Sequence, residues 1–396
     1  MMKVYLDNAG TTPLDRQVFE CMLPYFCEQY GNPESQHFLG RQAEYAVIHA
    51  REQVAKAIGA NEHEVYFTGS ATEANNWVTK GAVNACKKLQ KRIITSAIEH
   101  SSVLNSLEDL EKQGVEVVKV LPDKDGLISV QSVVKHLNDD TVLVSIMLAN
   151  NEIGTIQPIK EICKAVKNYN PDILFHTDAV QAIGTIDVKV SDLGIDLLTL
   201  SAHKFYGPKG IGVLFIKKGV KIDRLIAGGN QERGQRGGTS NVPAIVGMGY
   251  AIENAYKNLK ENSEYIRGLR DRLIEKIQKN IPYVKLNGHR TKRLDGNINI
   301  SFQYAESQGI LTMLDIKGIA ASVGSACTAG SFKPSYVLMA TGVPEELASS
   351  SIRLSLGKHN TVEEIDYTSE VLKEVIEDLR KLSPLFVDIK TDTHLV

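Results

Sequence analysis

Residues Leu197–Ile216 read LLTLSAHKFYGPKGIGVLFI: an apolar run to Leu200, a polar glycine-rich turn, and a second apolar run from Gly212 to Ile216. Short apolar runs bounded by turn residues are the pattern of strands buried on both faces. The turn places Lys204 directly after the first run, at the mouth of an α/β sheet. An amine that forms a Schiff base needs a lowered pKa and a fixed direction, which burial can supply. A lone lysine in a polar loop is more often an ordinary surface residue, so the weight rests on what other strand ends carry.

Working outward, strands are expected at Val65–Phe67, Arg92–Ser96, Val115–Val120, Val142–Leu148, Ile173–Thr177, Leu197–Leu200 and Gly212–Ile216. Amphipathic patterns lie between most of them. The clearest has Ala43, Ala46, Val47, Ala50, Val54, Ala57 and Ile58 on one face and stops at Gly59. Strands alternating with helices indicate an α/β fold with a seven-stranded, mostly parallel sheet covered on both faces. A helical pattern from about Pro243 to Ile281 leaves this region. Beyond it, strand-like pieces (Asn297–Phe302, Ile319–Val323, Ile352–Ser355) mix with helices (Gln308–Ile316, Val362–Leu382), as in a smaller α+β domain. The expected division is a large domain over residues 15–260 and a small one formed by 1–14 with 261–396.

Ligands of parallel sheets sit beyond the carboxyl ends of the strands, so the residues following each run are the first candidates. After the first comes TGSATEANNW (Thr68–Trp77), which offers backbone N–H groups to an anion at a helix N-terminus, although Ser70 or Thr72 could equally be a plain N-cap. Next come His100 in EHS, Asn150 and Asn151 in ANNEIG, Asp178 and Gln181 in HTDAVQAIG, and Ser201 and His203 beside Lys204. An aspartate ending a buried strand is costly unless a cation or several donors meet it. A protonated pyridine nitrogen would be such a partner. Amine, carboxylate, imidazole and anion donors on one sheet edge are together the set that pyridoxal phosphate requires.

Two features lie further on. SVGSACTAGS (Ser322–Ser331) surrounds Cys327 with small residues that cannot pack tightly, so an exposed or mobile loop carrying a thiol is expected. Cys163, within ICKAV, reads instead as a buried, inert cysteine. SSIRLSLG puts Arg353 in an apolar strand, either in a structural ion pair or receiving a carboxylate bidentately.

The chain has 396 residues, enough for about two domains, with 45 lysines and arginines against 47 acids. The net charge of -2 shows no nucleic-acid or membrane surface. The absence of an apolar run of membrane-spanning length and of a signal-peptide pattern points to the cytoplasm. Five cysteines without regular spacing suit a reducing compartment and free thiols, and no C-x-x-C metal pair is present.

Ten motifs, LDNAGTTP, GNPESQH, ATEANN, EHSSV, NNEIG, HTDAVQ, SAHKFYGPKGIG, QERGQRGGTSN, GSACTAG and SSIRLSLG, follow one another along nearly the whole chain. In that order they resemble the cysteine desulfurases, pyridoxal-phosphate enzymes of the class V aminotransferase group with fold-type-I architecture. The resemblance implies that Lys204 holds the cofactor and moves the Cα proton, that Asp178 pairs with the pyridinium nitrogen, and that Gln181 bonds the ring oxygen while His100 stacks on the ring. It implies a phosphate cradle of Ala71, Thr72, Ser201 and His203, completed by Thr239 of a partner subunit and hence a homodimer. Asn151 would lie by the cofactor, with Arg353 and Asn32 toward the substrate. Cys327 would attack the substrate sulfur, keep it as a persulfide and pass it to an acceptor protein for iron–sulfur clusters or tRNA thiolation. No resident metal is implied; Cys327 could ligate a transient iron–sulfur cluster.

The sequence departs from the pattern in three places. Gly69–Ser70 stands where serine commonly precedes glycine, Gly10 replaces an alanine, and Gly237 stands before Gly238 where a serine is common before the last glycine. The first bears on the phosphate donors, the others on packing. A related lyase or aminotransferase would have no use for Cys327. A silent scaffold would not be expected to keep Lys204, Asp178 and Cys327, and a nicotinamide dehydrogenase lacks its glycine fingerprint here.

Overall fold

The computed structural model describes residues 2–324, 334–384 and 386. After a short N-terminal strand, β1 (Val4–Tyr5), the chain builds a seven-stranded sheet from β2 (Val65–Thr68), β3 (Arg92–Ser96), β4 (Glu116–Val120), β5 (Thr141–Ser145), β6 (Leu174–Asp178), β7 (Leu197–Ser201) and β8 (Gly212–Ile216). The order is β2-β8-β7-β6-β5-β3-β4. Every neighbouring pair is parallel except those of β8, which runs against both β7 and β2. All seven expected strands are present, two with the expected ends and the others with ends shifted by one to three residues.

Two-residue periodicity sends neighbouring side chains to opposite faces. Ile94, Val144, Phe175, Leu198, Val213 and Phe215 pack against helices Phe38–Ile58, Ile159–Tyr169 and Val242–Lys257. Ile93, Leu143, Leu197 and Leu214 face helices Ala71–Ala85 and Ser101–Glu111. Each fully buried side chain, such as Phe175, contributes roughly 1.5–3 kcal/mol of transfer free energy. Helix Phe38–Ile58 stops where expected, because Gly59 takes the left-handed conformation (φ 68°) and its N–H caps the last carbonyls.

The pattern read as one helix from Pro243 to Ile281 is two helices, Val242–Lys257 and Leu259–Asn280. They break at Asn258 (φ -106°, ψ 11°), whose side chain donates to the carbonyl and side-chain oxygens of Asn254 at 3.1 and 2.9 Å. That local bond offers the backbone an alternative to the helical ladder, and hydrophobic periodicity does not register it.

A second hydrophobic cluster gathers Val4, Leu6, Leu269, Leu273, Ile298, Ile300, Ile352, Leu354, Leu372 and Ile376. Here β9 (Val284–Leu286), β10 (Asn297–Phe302) and β12 (Ser351–Ser355) form an antiparallel sheet in the order β12-β10-β9, and β11 (Ile319–Ala320) pairs in parallel with β1. Helices Leu259–Asn280, Ser307–Ile316 and Val362–Lys381 cover it. β1 and β9 are too short to show a period and had no counterpart in the sequence reading.

Candidate active site

The carboxyl ends of the parallel strands open onto a cleft of about 500 Å³ whose far wall comes from residues 9–11, Gly324 and Arg353. Seven sequence candidates meet there on one sheet edge: Thr72, His100, Asp178, Gln181, Ser201, His203 and Lys204. Ala71 and Asn151 line it too.

Lys204 closes the 3-10 turn Ala202–Lys204 immediately after β7. Its Nζ donates to the carbonyls of Ala9 and Gly10 at 2.6 and 2.7 Å, so the N-terminal segment aims the amine across the cleft. The same segment receives Gln181 Nε2 on the Ala9 carbonyl at 3.0 Å. Asp178, 5% exposed at the end of β6, accepts from Val180 N at 3.0 Å and from Asn75 Nδ2 at 2.8 Å. Asn75 escaped the sequence reading. Its only signal was an amide on the buried face of helix Ala71–Ala85.

Behind Asp178 stands a second carboxyl, Glu99, fully buried and bonded by Ser96 Oγ and Met147 N. Burial, reinforced by the Asp178 charge, pushes its pKa up to about 8, so Glu99 stays neutral. A carboxyl raised in the fold contributes stability that is present below its ordinary value near 4.5 and is lost as the pH rises through about 8. Each unit is worth about 1.4 kcal/mol. Glu99→Gln is therefore expected to flatten the fall of melting temperature between about pH 5 and 8, as followed by circular dichroism. An unchanged slope would mean that Glu99 is ionised in the fold.

His100 caps helix Ser101–Glu111, with Nδ1 taking the Ser102 N–H at 3.2 Å and lying 2.8 Å from Ser102 Oγ. That bond fixes the plane of the ring facing the cleft. Burial, with Lys204 and Lys209 nearby, pulls the His203 pKa down to about 4, so its imidazole is neutral and its Nδ1 meets Thr11 Oγ1 at 3.1 Å. Ser201 Oγ lies 3.4 Å from the Ile211 carbonyl.

Ser70 is the N-cap of helix Ala71–Ala85, accepting the Glu73 N–H at 3.1 Å. The N–H groups of Ala71 and Thr72 belong to the first turn and have no carbonyl of their own helix to bond. β8 passes directly beneath: a Cβ on Gly212 would lie 2.6 Å from the Ser70 carbonyl carbon, so only glycine lets the strand run this close.

Arg353, 2% exposed on β12, donates through Nη2 to Asp7 Oδ1 and Ser322 Oγ, both at 2.9 Å, and through Nη1 to the Asn151 carbonyl at 3.0 Å. The structural ion pair weighed from sequence is thus present, with Asp7 as partner, on a residue that also faces the cleft. Arg353 Nε and Asn151 Oδ1 are buried without a partner among the described residues. Glu152, next in chain, is fully buried and accepts from Ser335 Oγ. Burial raises its pKa, opposed by that hydrogen bond and by the Arg353 and His100 charges.

Asn32 and Thr239 are not part of this cleft. Both are exposed, and Asn32 Oδ1 accepts the Glu34 N–H at 3.0 Å within a turn. Cys327 lies outside the described residues; Gly324, three positions before it, lines the cleft. Cys163 is buried with Sγ 3.2 Å from the Gly194 carbonyl, and burial pushes its thiol up to about 11, as suits an inert cysteine. Among the described residues no cluster of His, Cys, Asp and Glu could hold a metal ion, and no helix is long and apolar enough to cross a membrane.

An amine aimed by two carbonyls, an aspartate at a strand end, a fixed imidazole and free helix N–H groups define a site of pyridoxal-phosphate type. Comparison with known proteins agrees. A model of the Aminotransferase class-V family matches residues 4–368. A cysteine desulfurase IscS of Methanosarcina thermophila is 51% identical, covering 96% of this chain and 94% of its own. A solved NifS-like protein superimposes with a TM-score of 0.90 at 39% identity, over 95% of this chain and all of its own. A second structure, SspA in complex with cysteine, gives 0.81 at 36% identity, over 91% of this chain and all of its own. The chain belongs to the class-V aminotransferase family, and within it to the cysteine desulfurases. Its cofactor is pyridoxal 5'-phosphate.

The residues fit that group. Asn151 Oδ1, buried and lacking a partner in the cleft, is an acceptor placed for a donor from cofactor or substrate. The neutral His203, the Ser201 hydroxyl and the N–H groups of Ala71 and Thr72 are all donors suited to a phosphate.

Proposed function

We propose that this protein removes sulfur from L-cysteine, leaving L-alanine, and delivers it as a persulfide on Cys327 to an acceptor protein for iron–sulfur cluster assembly, tRNA thiolation or both. The observation that carries the reading is the convergence of Lys204, Asp178, His100 and Arg353 on one cleft that also holds the partnerless Asn151 Oδ1.

When bound, the cofactor supplies an electron sink for the substrate Cα, which its protonated ring nitrogen maintains. The protein's residues do the rest. Lys204 Nζ holds the cofactor and then carries a proton to and from Cα. Asp178 keeps the ring nitrogen protonated, and His100 covers the ring face. Gln181 and Asn151 orient the cofactor, while Ala71, Thr72, Ser201 and His203 hold its phosphate. Arg353 receives the α-carboxylate. The Cys327 thiolate attacks the substrate sulfur: an S–S bond forms, the Cβ–S bond breaks, and its electron pair stays with the carbon fragment, which protonation turns into alanine.

We take residues 15–260 as the cofactor-binding domain and 1–14 with 261–396 as the small one. A homodimer accounts for Thr239, exposed and not among the residues lining its own cleft, as a phosphate ligand of the partner's site. It also suits the face of helix Phe38–Ile58 on which Phe38, Tyr45 and Ile48 are 63, 71 and 41% exposed, beside Phe19 and Phe26 at 46 and 55%. Apolar surface of that kind marks an interface. Free cysteines among the described residues suit a reducing cytoplasm.

The test is to incubate the protein with L-cysteine and a reductant and follow sulfide and alanine together. Equal amounts of both, dependent on pyridoxal phosphate, are expected. A yellow protein that makes neither would belong with a different substrate of the family. For Arg353→Lys, loss of the bidentate fork is expected to raise KM for L-cysteine on the order of 100-fold with a much smaller change in kcat. A fall in kcat at constant KM would confine Arg353 to its pair with Asp7.

A further inference from the structure

The turn that offers its N–H groups to a phosphate carries a carboxylate of its own. Glu73 stands in the first turn of helix Ala71–Ala85, and its Oε2 accepts the Gly69 N–H at 2.8 Å. That bond, with the Ser70 cap, shapes the segment Gly69–Thr72, three of whose residues line the cleft. The fit is close: a Cβ on Gly69 would lie 2.9 Å from Glu73 Oε2. Yet a phosphate monoester carries about -1.5 to -2 charges at neutral pH, and a carboxylate at the same helix end opposes it.

Arg236 meets that carboxylate with a fork, Nε to Oε1 at 2.8 Å and Nη2 to Oε2 at 3.2 Å. The pair is largely buried, with side-chain exposures of 21 and 17%. The hydrogen bond to Glu73 holds the guanidinium above its ordinary pKa. The segment that carries Arg236 is itself tied down. Glu232 takes both ends of the Arg51 guanidinium, at 2.6 and 2.9 Å, and the Phe67 N–H at 3.0 Å, while Arg233 donates to the Val65 carbonyl at 2.8 Å. Arg236 is thus delivered to Glu73 by a loop pinned to β2, the strand that leads into the turn.

We infer that Arg236 is a positioning residue for the cofactor phosphate: it cancels the Glu73 charge, so that Glu73 can shape the turn Gly69–Thr72 without repelling the dianion that the turn receives. This rests on the reading of Ala71 and Thr72 as the phosphate cradle. Arg236 itself is not among the residues lining the cleft, so it acts through Glu73.

The test compares two cofactors that differ only in the phosphate. Apoprotein is titrated with pyridoxal phosphate and with pyridoxal, and binding is read from the absorbance of the bound ring. Arg236→Gln is expected to raise Kd for pyridoxal phosphate about tenfold or more and to change that for pyridoxal by less than about twofold. Arg236→Lys, which keeps the charge but loses the fork, falls between. Adding Glu73→Gln to Arg236→Gln removes the repulsion and is expected to restore most of the phosphate preference. Equal weakening toward both cofactors, no change toward either, or no rescue by Glu73→Gln would overturn the inference. Thr72→Val separates this from failure of the cradle itself. If Thr72→Val lowers the preference for pyridoxal phosphate while Arg236→Gln does not, only the role of Arg236 falls. If Thr72→Val leaves the preference intact, the cradle lies elsewhere and both readings fall.

Discussion

Lys204→Ala is expected to abolish turnover, by on the order of 10⁴-fold or more, because one amine performs two tasks. It holds the cofactor covalently, and it is the group positioned to move the proton at Cα, a role that alone contributes about 10²–10⁴-fold. The backbone predicts little collateral damage: Lys204 ends a short turn, and its Nζ contacts the Ala9 and Gly10 carbonyls across the cleft. The variant should therefore fold, and should bind the cofactor reversibly and without the covalent signature in its absorbance. Sulfide and alanine assays at saturating cofactor check the first claim, and dialysis followed by absorbance checks the second. Residual turnover above about 1% would hand the proton to another base, of which His100 is the one in place.

Cys327→Ala separates binding from sulfur transfer. The variant is expected to keep the cofactor and the spectral response to added L-cysteine, while sulfide release falls by about 10³-fold or more, since none of the four free cysteines among the described residues lines the cleft. Cys163 is buried, bonded to the Gly194 carbonyl and pushed up to about 11, so almost none of it is thiolate at neutral pH. Cys163→Ala provides the contrast, with desulfuration retained at the parent rate. Mass spectrometry after a single turnover should find one added sulfur on Cys327 in the parent and none in the variant. Sulfide release by Cys327→Ala at the parent rate would remove Cys327 from the mechanism.

Much of this site is legible one strand at a time. A buried strand announces itself as an apolar run, and a ligand group at its end interrupts that run with polarity. Asp178 after the run at Ile173–Thr177 and Lys204 after Leu197–Leu200 both stood out for this reason. The long apolar stripe from Pro243 to Ile281 misled for a related reason, since periodicity reports which face is buried and not whether the backbone continues. The break at Asn258 is made by a side chain bonding to Asn254, and a local hydrogen bond leaves no mark on a hydrophobic pattern.

Pairings between distant segments had no such mark. Asp7 meets Arg353 from the far end of the chain, Arg236 reaches Glu73, and Asn75 reaches Asp178. Nothing in the neighbourhood of either partner encodes the other. The neutral state of Glu99 likewise depends on complete burial beside Asp178, which only the closed core creates. By itself the sequence determined the sheet, the edge on which the chemistry sits and the residue types gathered there, because these follow from local alternation of apolar and polar side chains. Only the tertiary structure decided which charge meets which and that Glu99 is buried deeply enough to stay neutral, because electrostatic energies depend on distance and burial rather than on order along the chain.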